Sequence, residues 1–469
     1  MKKLAIVLAA GQGKRMKSKL YKVLHQVCDK PMVSHALDSV REAGCERIVV
    51  VVGHGADAVQ EVLGDSVEYA LQAEQLGTGH AVSQAAPLLG EEEGVTIVTY
   101  GDTPLVDPDT IKLMMALHLE QSAAATVLTA NVSDPTGLGR IIRGETGEVL
   151  RIVEQKDCTK EEATITEINT GTYCFDNRKL FSALREVKND NSQGEYYATD
   201  VIGILRDQGE RISAYMCEDP TEAIGVNDRL ALGEAERVMR MRINANHQLN
   251  GVTLIDPEHT YIGANVQIGA DTIIYPGTVL RGNTVVGTDC VIGPQSELRD
   301  TIVGSGSTVR QTVAENAVVG DECSVGPFAY LRPGTVLGRH VKIGDFVEIK
   351  NTIIGEHSKV PHLSYVGDAI VGTNVNIGCG AITANYDGFN KSKTEIGDNA
   401  FIGSNSNLIA PVKIGSGAYV VAGSTITQNV LDNDVAIARE RQVNKPGYAD
   451  KIRARARAKK DREKTDNNQ

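Results

Sequence analysis

The chain has 469 residues, of which 41% are hydrophobic and 23% charged, and its formal net charge is −12. This length corresponds to two or three domains, and the apolar fraction is that of a globular protein rather than a disordered one. The acidic balance argues against nucleic acid as a general partner, and no apolar run reaches the roughly 18 to 20 residues that would span a bilayer. Eight cysteines without a C-x-x-C pair argue against a disulfide framework or a zinc site. We therefore expect a soluble cytoplasmic protein.

The first half of the chain alternates apolar strands with amphipathic segments. Strands are predicted at Lys3–Ala9, Arg47–Val52 and Val95–Tyr100, with an amphipathic stretch from Pro31 to Ala43. This alternation predicts a Rossmann-like α/β domain with a mostly parallel, helix-covered sheet. Ligands of such sheets bind at the carboxyl ends of the strands, where Gly11 and Asp102 fall.

A long helix is predicted from Asp228 to Asn250, which Asn227 or Asp228 could cap and which Gly251 follows. We interpret it as the connector between two domains. The predicted boundaries are 1–228 for the α/β domain, 229–250 for the linker, 251–438 for the second domain and 439–469 for a basic tail. The tail carries 11 basic and 5 acidic residues. A solvated helix, packing against a neighbouring subunit and nucleic acid binding all remain open for it.

After Gly251, aliphatic residues recur every six positions. The repeat covers 262–298, resumes at Val313, continues to residue 349 and returns over 396–426. A six-residue period sustained this long predicts a left-handed parallel β-helix, in which three hexapeptides form one coil and the aliphatic side chains point inward. At about 18 residues per coil, about ten coils are expected. Because the flat faces of such a stack stay exposed, we expect a homotrimer.

The six-residue period fails in two places, and each is a candidate site. Val360–Leu363 contains a proline and a histidine where turn residues are expected. Between Ile377 and Ile396 the period disappears through the segment 380–391. A long excursion from a repetitive scaffold is a favoured place for function.

The segment LAAGQGKRM, residues 8–16, follows the first predicted strand and contains two glycines and two cations. Backbone N–H groups in such a turn can bind phosphates, and the cations neutralise them. A third glycine is missing at Met16, so the dinucleotide-binding fingerprint fails, and no P-loop motif occurs. On spacing alone, a tight strand–helix turn without a ligand remains open.

Together with Lys22, this segment resembles the signature of sugar-1-phosphate nucleotidyltransferases. Further motifs agree: QAEQLGTGH at 72–80, YGD at 100–102, GLGR at 137–140, VEQK at 153–156, INTG at 168–171 and GVN at 225–227. Joined to a hexapeptide domain that contains NIGCGAITANYDG, the chain resembles, over about residues 3–445, the bacterial family of bifunctional N-acetylglucosamine-1-phosphate uridyltransferase/glucosamine-1-phosphate acetyltransferases. It departs from the family's usual pattern at Lys14, Tyr21 and Cys379, where Thr, Pro and Ala are more common.

The resemblance implies that the first domain transfers a uridylyl group from UTP to a sugar 1-phosphate, by positioning and charge neutralisation. Arg15 and Lys22 would hold the triphosphate, and Asp102 and Asn227 would bind Mg²⁺. From the residues alone, helix capping remains open for both Asp102 and Asn227. The nucleotide and sugar would contact Leu8, Ala9, Ala10, Gly11, Gln72, Gly77, Thr78, Tyr100, Gly139, Glu154 and Asn169. Of these, Gln72, Gly77 and Thr78 would read uracil, and the last three would contact the sugar.

By the same resemblance, the second domain transfers acetyl from acetyl-CoA to the amine of glucosamine 1-phosphate. An ammonium is not a nucleophile, so a base is needed, and His362 resembles the family's catalytic base. His340 and His357 are expected to be corner residues. The acetyltransferase substrate would contact Arg332, Lys350, Tyr365, Asn376, Asn385 and Lys391, and acetyl-CoA would contact Cys379, Asn385, Tyr386, Ser404, Ala422 and Arg439. Direct transfer needs no acyl-enzyme, so we expect Cys379 only to line the CoA groove.

We therefore predict a bifunctional enzyme that makes UDP-N-acetylglucosamine for bacterial envelope polymers, acetylating first and uridylylating second. Two alternatives remain. One is a monofunctional nucleotidyltransferase whose hexapeptide domain only assembles or regulates the oligomer, against which the repeat length and His362 argue. The other is a non-enzymatic scaffold with a degenerate nucleotidyltransferase domain, against which the intact set of Arg15, Lys22, Asp102 and Asn227 argues.

Overall fold

The computed structural model describes residues 1–466, and it describes side chains as far as Glu463. The last three residues of the predicted tail, 467–469, lie outside the described residues. The chain divides into two compact units, Met1–Asp300 and the chain from Thr301 onward. The division falls inside the hexapeptide region.

The first unit begins with an α/β fold on a mixed, mostly parallel sheet. Its strands are β1 (Lys2–Ala9), β2 (Gln26–Val27), β3 (Lys30–Pro31), β4 (Arg47–Val52), β5 (Glu68–Leu71), β6 (Gly94–Tyr100), β7 (Ala125–Asn131), β8 (Gly139–Arg143), β9 (Val149–Val153), β10 (Glu167–Asp176) and β11 (Ile212–Met216). The main sheet has the order β11-β7-β10-β6-β1-β4-β5, with β8 and β9 extending from β10 and β2 paired separately with β3. Strand β10 runs antiparallel to both β6 and β7. The predicted α/β class is confirmed, and the three predicted strands match β1, β4 and β6 within one residue.

Strand β1 is buried on both faces, which places the core on either side of it. Alternate residues enter two different apolar clusters, Leu8 entering one and Ala9 the other. The helices that connect the strands are α1 (Met32–Glu42), α2 (Ala56–Leu63), α3 (Thr78–Ser83), α4 (Ala86–Leu89), α5 (Pro108–Glu120), α6 (Asn177–Leu184) and α7 (Asp200–Asp207). A strand covered on both faces leaves its carboxyl end as the accessible place for polar groups.

Helix α8 (Arg229–Leu249) is the predicted connector helix. Asp228 caps it, because its Oδ1 accepts hydrogen bonds from the N–H groups of Leu230 at 3.0 Å and Ala231 at 2.9 Å. The cap therefore belongs to Asp228, and the side chain of Asn227 is left for other contacts.

Short parallel strands follow in both units, and paired strands are about 18 residues apart, as Tyr261 and Val279 are. In the first unit they are Thr253–Leu254, Tyr261–Ile262, Gln267–Ile268, Ile273–Ile274, Val279–Arg281, Val285–Val286, Val291–Ile292 and Glu297–Arg299. Such pairing at a distance of three strands is that of a hexapeptide β-helix, which confirms the predicted architecture.

The second unit contains three parallel ladders. Ladder 1 is Thr308–Val309, Ser324–Val325, Lys342–Asp345, Lys359–His362, Asn376–Ile377, Phe401–Ile402, Tyr419–Val420 and Val435–Ala436. Ladder 2 is Val313–Glu315, Tyr330–Leu331, Glu348–Lys350, Tyr365–Gly367, Ile382–Ala384, Asn407–Ile409 and Thr425–Ile426. Ladder 3 is Ile302–Val303, Val318–Val319, Val336–Leu337, Ile353–Ile354, Ala369–Val371, Thr394–Ile396 and Val412–Ile414. Helix α9 (Tyr448–Asp466) lies in the predicted basic tail.

Two details of the predicted repeat are wrong. Val313 is 39% exposed and its neighbour Ala314 is the inward residue, because the step from Ala314 to the next inward residue, Val319, is five residues rather than six. The excursion is also shorter than predicted, since Ile382–Ala384 is a strand of ladder 2 with Thr383 buried. A polar side chain fits inward there because the Thr383 hydroxyl accepts a hydrogen bond from a backbone N–H group at 2.7 Å. Within residues 1–466, no helix has the length and apolar character needed to cross a membrane.

Candidate active sites

A cleft in the first unit lies at the carboxyl ends of β1 and β6. It is lined by Leu8, Ala10, Gly11, Lys22, Val23, Gln72, Gln75, Gly77, Thr78, Ala81, Tyr100, Asp102 and Glu195. Most residues predicted to hold the nucleotide are among them. Ala9 is an exception, because strand alternation turns its side chain into the core cluster on the opposite face. Arg15 is exposed on a short 3₁₀ turn, Lys14–Met16, and is not part of this lining.

Lys22 links the two predicted metal ligands. Its ammonium forms an ion pair with Asp102 and donates a hydrogen bond of 2.7 Å to Oδ1 of Asn227. The two acceptors meet although they are distant in sequence, because the N–H of Val226 donates to the Asp102 carbonyl at 2.8 Å. A carboxylate and an amide oxygen thus converge on one cationic position, and these are the donor types that Mg²⁺ prefers. The residues present therefore fit an oxygen-liganded divalent cation.

Gly13 allows the glycine-containing loop after β1, within residues 8–16, to pack against Lys22. Its φ is +61°, in the left-handed region, and a Cβ atom there would collide with the side chain of Lys22. Only glycine lets the loop adopt this conformation and pack this closely. The loop and the side chain of Lys22 are consequently packed together at the end of β1.

The residues predicted to read uracil form a hydrogen-bonded group in the cleft. Gln72 is 3% exposed, and its Nε2 donates to the Gly77 carbonyl at 3.1 Å and lies 3.1 Å from Nδ1 of His80. The Thr78 hydroxyl accepts a hydrogen bond from the N–H of Ala198 at 3.0 Å. The predicted residues are brought together, while His80 and Ala198 are supporting partners that the sequence analysis missed.

The three predicted sugar-contacting residues also converge. Gly139 pairs with Asn169 across β8 and β10, and a Cβ atom at Gly139 would lie 3.6 Å from Oε1 of Glu154. Nδ2 of Asn169 donates to the Tyr173 hydroxyl at 2.7 Å. Burial raises the pKa of Glu154, and the hydroxyl of Thr199, 3.4 Å away, partly opposes this. The carboxyl group of Glu154 and the amide oxygen of Asn169 can accept hydrogen bonds from hydroxyl groups, and Gly139 leaves space beside them.

His362 ends a strand of ladder 1 and pairs with a carboxylate that was not predicted. Its Nδ1 lies 2.7 Å from Oδ1 of Asp345, and the two residues are in register on neighbouring strands. The hydrogen bond with His362 lowers the pKa of Asp345. The separation of 17 residues is about one coil, so the repeat itself was the signal that could have found this partner. His340 and His357 are corner residues, as predicted, with φ values of +58° and +60° and stacked rings 4.8 Å apart.

Asp368, also missed by the sequence analysis, gathers polar side chains on ladder 2. It is 6% exposed, and its Oδ2 accepts hydrogen bonds from Asn385 and, at 3.1 Å, from Nζ of Lys350. Its Oδ1 accepts from Nδ2 of Asn351 at 2.7 Å, and the Tyr365 hydroxyl lies 3.4 Å from Nδ2 of Asn385. Although burial opposes ionisation, these hydrogen bonds together hold the pKa of Asp368 below its ordinary value. The cluster therefore stabilises a charged carboxylate that is nearly buried in the β-helix.

The predicted phosphate-binding cations lie around this cluster. Lys391 is beside Lys350. Arg332 donates to Oε1 of Glu348 at 2.7 Å, and Glu348 is in register with Tyr365 on ladder 2. Lysine and arginine are the side chains that bind phosphates in proteins, and here Lys350 and Arg332 are paired with Asp368 and Glu348.

Four of the predicted CoA contacts follow one corner of successive coils. The Cys379 carbonyl accepts from the residue after Ser404, and the Ser404 carbonyl accepts from Gly423, both at 2.8 Å. Ala422 precedes Gly423, and a Cβ atom at Gly423 would lie 3.6 Å from Cδ of Arg439. Cys379, Ser404, Ala422 and Arg439 therefore form one exposed column.

The remaining predicted contacts of this domain lie outside that column. Asn385 belongs to the Asp368 cluster, and Tyr386, 60% exposed, pairs across the excursion with Lys391. Asn376 lies on ladder 1, the ladder that carries His362, rather than in the Asp368 cluster.

Comparisons with known proteins cover both parts of the chain. Residues 5–201 match the MobA-like NTP transferase domain, 259–300 and 393–428 match the bacterial transferase hexapeptide (six repeats), and 313–386 match the GMPPB C-terminal domain. The chain is 61% identical over 448 residues to the bifunctional protein GlmU of Brevibacillus brevis, which covers 96% of this chain and 97% of that protein. It is 57% identical to the protein of the same name from a Geobacillus species (96% and 98% covered) and 56% identical to that of Bacillus subtilis (96% and 99% covered).

Proposed function

The chain belongs to the family of the bifunctional protein GlmU, as the sequence predicted, and we propose that it makes UDP-N-acetylglucosamine in two steps. Acetyl-CoA first acetylates glucosamine 1-phosphate, and the product then attacks UTP with release of pyrophosphate. The observation that carries the proposal is the presence of two separately built sites in one chain. One is the cleft with Lys22, Asp102 and Asn227, and the other is the surface with His362 and the Asp368 cluster. A monofunctional enzyme or a scaffold has no use for both.

Uridylyl transfer requires the sugar phosphate and the α-phosphate of UTP to be held in line while charge is neutralised. Gln72 and Thr78 would orient uracil, and the loop at Gly11 would offer backbone N–H groups to the phosphates. Lys22 would neutralise charge that develops on the phosphoryl oxygens. The exposed Arg15 reaches the triphosphate only if its loop closes over the bound nucleotide.

We assign Asp102 and Asn227 as ligands of a divalent cation, which we expect to be Mg²⁺. When bound, such an ion polarises phosphoryl oxygens and offsets their charge. The residues that hold it also hold Lys22, so the ammonium would move toward the phosphates when the cation binds. Gly139, Glu154 and Asn169 would contact the sugar, and the side chains of Glu154 and Asn169 would accept hydrogen bonds from its hydroxyl groups.

Acetyl transfer needs a neutral amine next to the thioester. His362 would take a proton from the amine, whose nitrogen attacks the thioester carbonyl, and the CoA thiolate then leaves. Lys350, Lys391 and Arg332 would hold the sugar phosphate. The column of Cys379, Ser404, Ala422 and Arg439 would carry CoA along the coil corners.

We further propose that the chain assembles as a homotrimer in the cytoplasm. Five aliphatic side chains that are each at least 38% exposed follow one another in register along ladder 3. They are Ile302, Val318, Val336, Ile353 and Ile370. A continuous apolar stripe of this kind supports burial against other copies of the chain.

The test follows both half-reactions in one preparation. CoA release from acetyl-CoA and glucosamine 1-phosphate is measured without UTP, and pyrophosphate release is measured from UTP and N-acetylglucosamine 1-phosphate. We expect His362→Ala to lower the first by about 10² to 10⁴-fold and to leave the second intact. Lys22→Ala should lower the second by about 10² to 10³-fold and leave the first intact. The mass of the same preparation in solution should be that of three 50.2 kDa chains.

An absence of CoA release from folded protein would overturn the bifunctional proposal and favour a structural β-helix. The exposed Lys19 offers a matched control for Lys22, since Lys19→Ala removes a nearby charge outside the lining of the cleft.

A further inference from the structure

We propose that Asp345 is a positioning residue for acetyl transfer, which holds His362 in the tautomer whose Nε2 can accept the amine proton. The inference rests on the proposed acetyltransferase function and adds to it a residue that no sequence motif marked.

The hydrogen bond itself decides the tautomer. Oδ1 of Asp345 lies 2.7 Å from Nδ1 of His362, and an ionised carboxylate can only accept a hydrogen bond. Nδ1 of the neutral imidazole therefore carries the proton, and Nε2 carries the lone pair. The carboxylate also stabilises the imidazolium that forms when Nε2 takes the proton from the amine.

The backbone is built to make this contact. Among the described residues of the second unit, Lys342–Asp345 and Lys359–His362 are the only strands four residues long, and the extra length brings Asp345 and His362 into register. A Cβ atom at Gly344 would collide with the carbonyl of Pro361. Glycine therefore permits the close approach of the two strands just before the paired side chains.

Asp345 is the charged group that the structure pairs with the His362 ring. Lys342 and Lys359 begin the two four-residue strands, so they lie at the opposite end of those strands from the pair. The next strand of ladder 1 offers Asn376, which carries no charge. His362 and Asp345 are 59% and 42% exposed, so without this hydrogen bond the ring would be free to rotate in water.

A second histidine–carboxylate pair provides a matched control. Nε2 of His340 lies 2.9 Å from Glu322 at a corner of the same unit, and this histidine stacks on His357. None of these residues belongs to the proposed machinery. Glu322→Gln removes the same kind of charge from the same kind of pair, so it should leave acetyl transfer unchanged.

The experiment measures CoA release over a range of pH for the wild type, Asp345→Asn, Asp345→Ala and Glu322→Gln. We expect Asp345→Ala to lower kcat by about tenfold or more, toward the lower end of general-base effects because the pair is exposed. KM should stay within about twofold, since Asp345 is not placed on the substrate. Asp345→Asn should also lower kcat, because neither variant carries the charge that stabilises the imidazolium. Pyrophosphate release in the same variants reports that the chain is folded.

A double-mutant cycle separates positioning from a structural role. In the His362→Ala background, Asp345→Ala should cause no further loss, because there is no ring left to orient. Losses that multiply would overturn the proposal, as would an Asp345→Ala variant with wild-type kcat beside an inactive His362→Ala. If the folded wild type released no CoA, the acetyltransferase function itself would fall, and the role of Asp345 with it.

Discussion

The two candidate sites differ in how far the fold encloses their charged groups. In the nucleotidyltransferase cleft, the side chains of Lys22 and Asp102 are 11% and 18% exposed. In the β-helix, those of His362 and Asp345 are 59% and 42% exposed. A partly buried ion pair acts in a lower dielectric and is already oriented, whereas an exposed dyad is weakened by water until a ligand covers it.

This difference follows from the two architectures. The edge of a parallel sheet is concave where helices rise on both sides, so distant segments can converge on one cleft. A β-helix is convex and carries its site on the outside of the coils. Among the residues proposed for acetyl transfer and their partners, the buried ones are Asp368 and Asn385, and the substrate must supply the rest of the enclosure.

Removal of divalent cations should separate the two sites most completely. Incubation with EDTA should abolish pyrophosphate release, because Asp102 and Asn227 are the oxygen donors assigned to the cation. CoA release should continue at the untreated rate, since the proposed acetyl-transfer step relies on His362 as its base. Readdition of Mg²⁺ should restore the first activity. Uridylyl transfer that survives EDTA would contradict the assignment of Asp102 and Asn227.

Substitution of Asp368 should have the next largest effect, this time on the β-helix. Asp368→Asn removes the partner of Lys350 inside a nearly buried cluster, so we expect a loss of about 2 kcal/mol of unfolding free energy and a raised KM for glucosamine 1-phosphate. Glu395→Gln is the matched control, because Glu395 pairs with Lys413 at 3.6 Å on the exposed surface. Its cost should stay below about 0.5 kcal/mol.

The pH dependence sharpens the Asp368 prediction. Its hydrogen bonds hold the pKa of Asp368 below the ordinary value. The stabilisation is therefore present above about pH 4 and is lost as the pH falls further through the lowered pKa. Thermal unfolding of the wild type and Asp368→Asn should converge in acid. A constant difference between them from pH 7 to pH 3 would contradict this account.

The sequence predicted most of the cleft but only part of the acetyltransferase surface. Asp102 and Asn227 were paired through the family resemblance, and a backbone hydrogen bond from Val226 brings them together. The sequence did not identify Asp345 and Asp368, because their hydrogen-bond partners lie one coil away. Such a pairing can be predicted only once the coil length is known. A strict period of six then misplaces residues such as Val313, since some corners take five residues.

The smallest expected effect concerns Glu154 in the cleft, where burial of a carboxylate lowers the stability of the fold. Burial raises the pKa of this carboxyl group, so the folded protein holds its charged form less favourably than the unfolded chain does. That cost grows as the pH rises through the ordinary pKa of glutamate to the raised value in the fold, and it is fully present above it. Glu154→Gln should therefore raise the Tm at pH 8 by a few degrees and lose this advantage near pH 4.

The same substitution should weaken function, because Glu154 is one of the groups assigned to the sugar hydroxyls. We expect a severalfold higher KM for N-acetylglucosamine 1-phosphate in pyrophosphate release, with CoA release unchanged. Glu161→Gln, at an exposed position, should alter neither the Tm nor the KM. A higher Tm without a change in KM would place Glu154 outside the sugar site, whereas both changes together would show that the enclosed cleft retains an unfavourable charge because the substrate needs it.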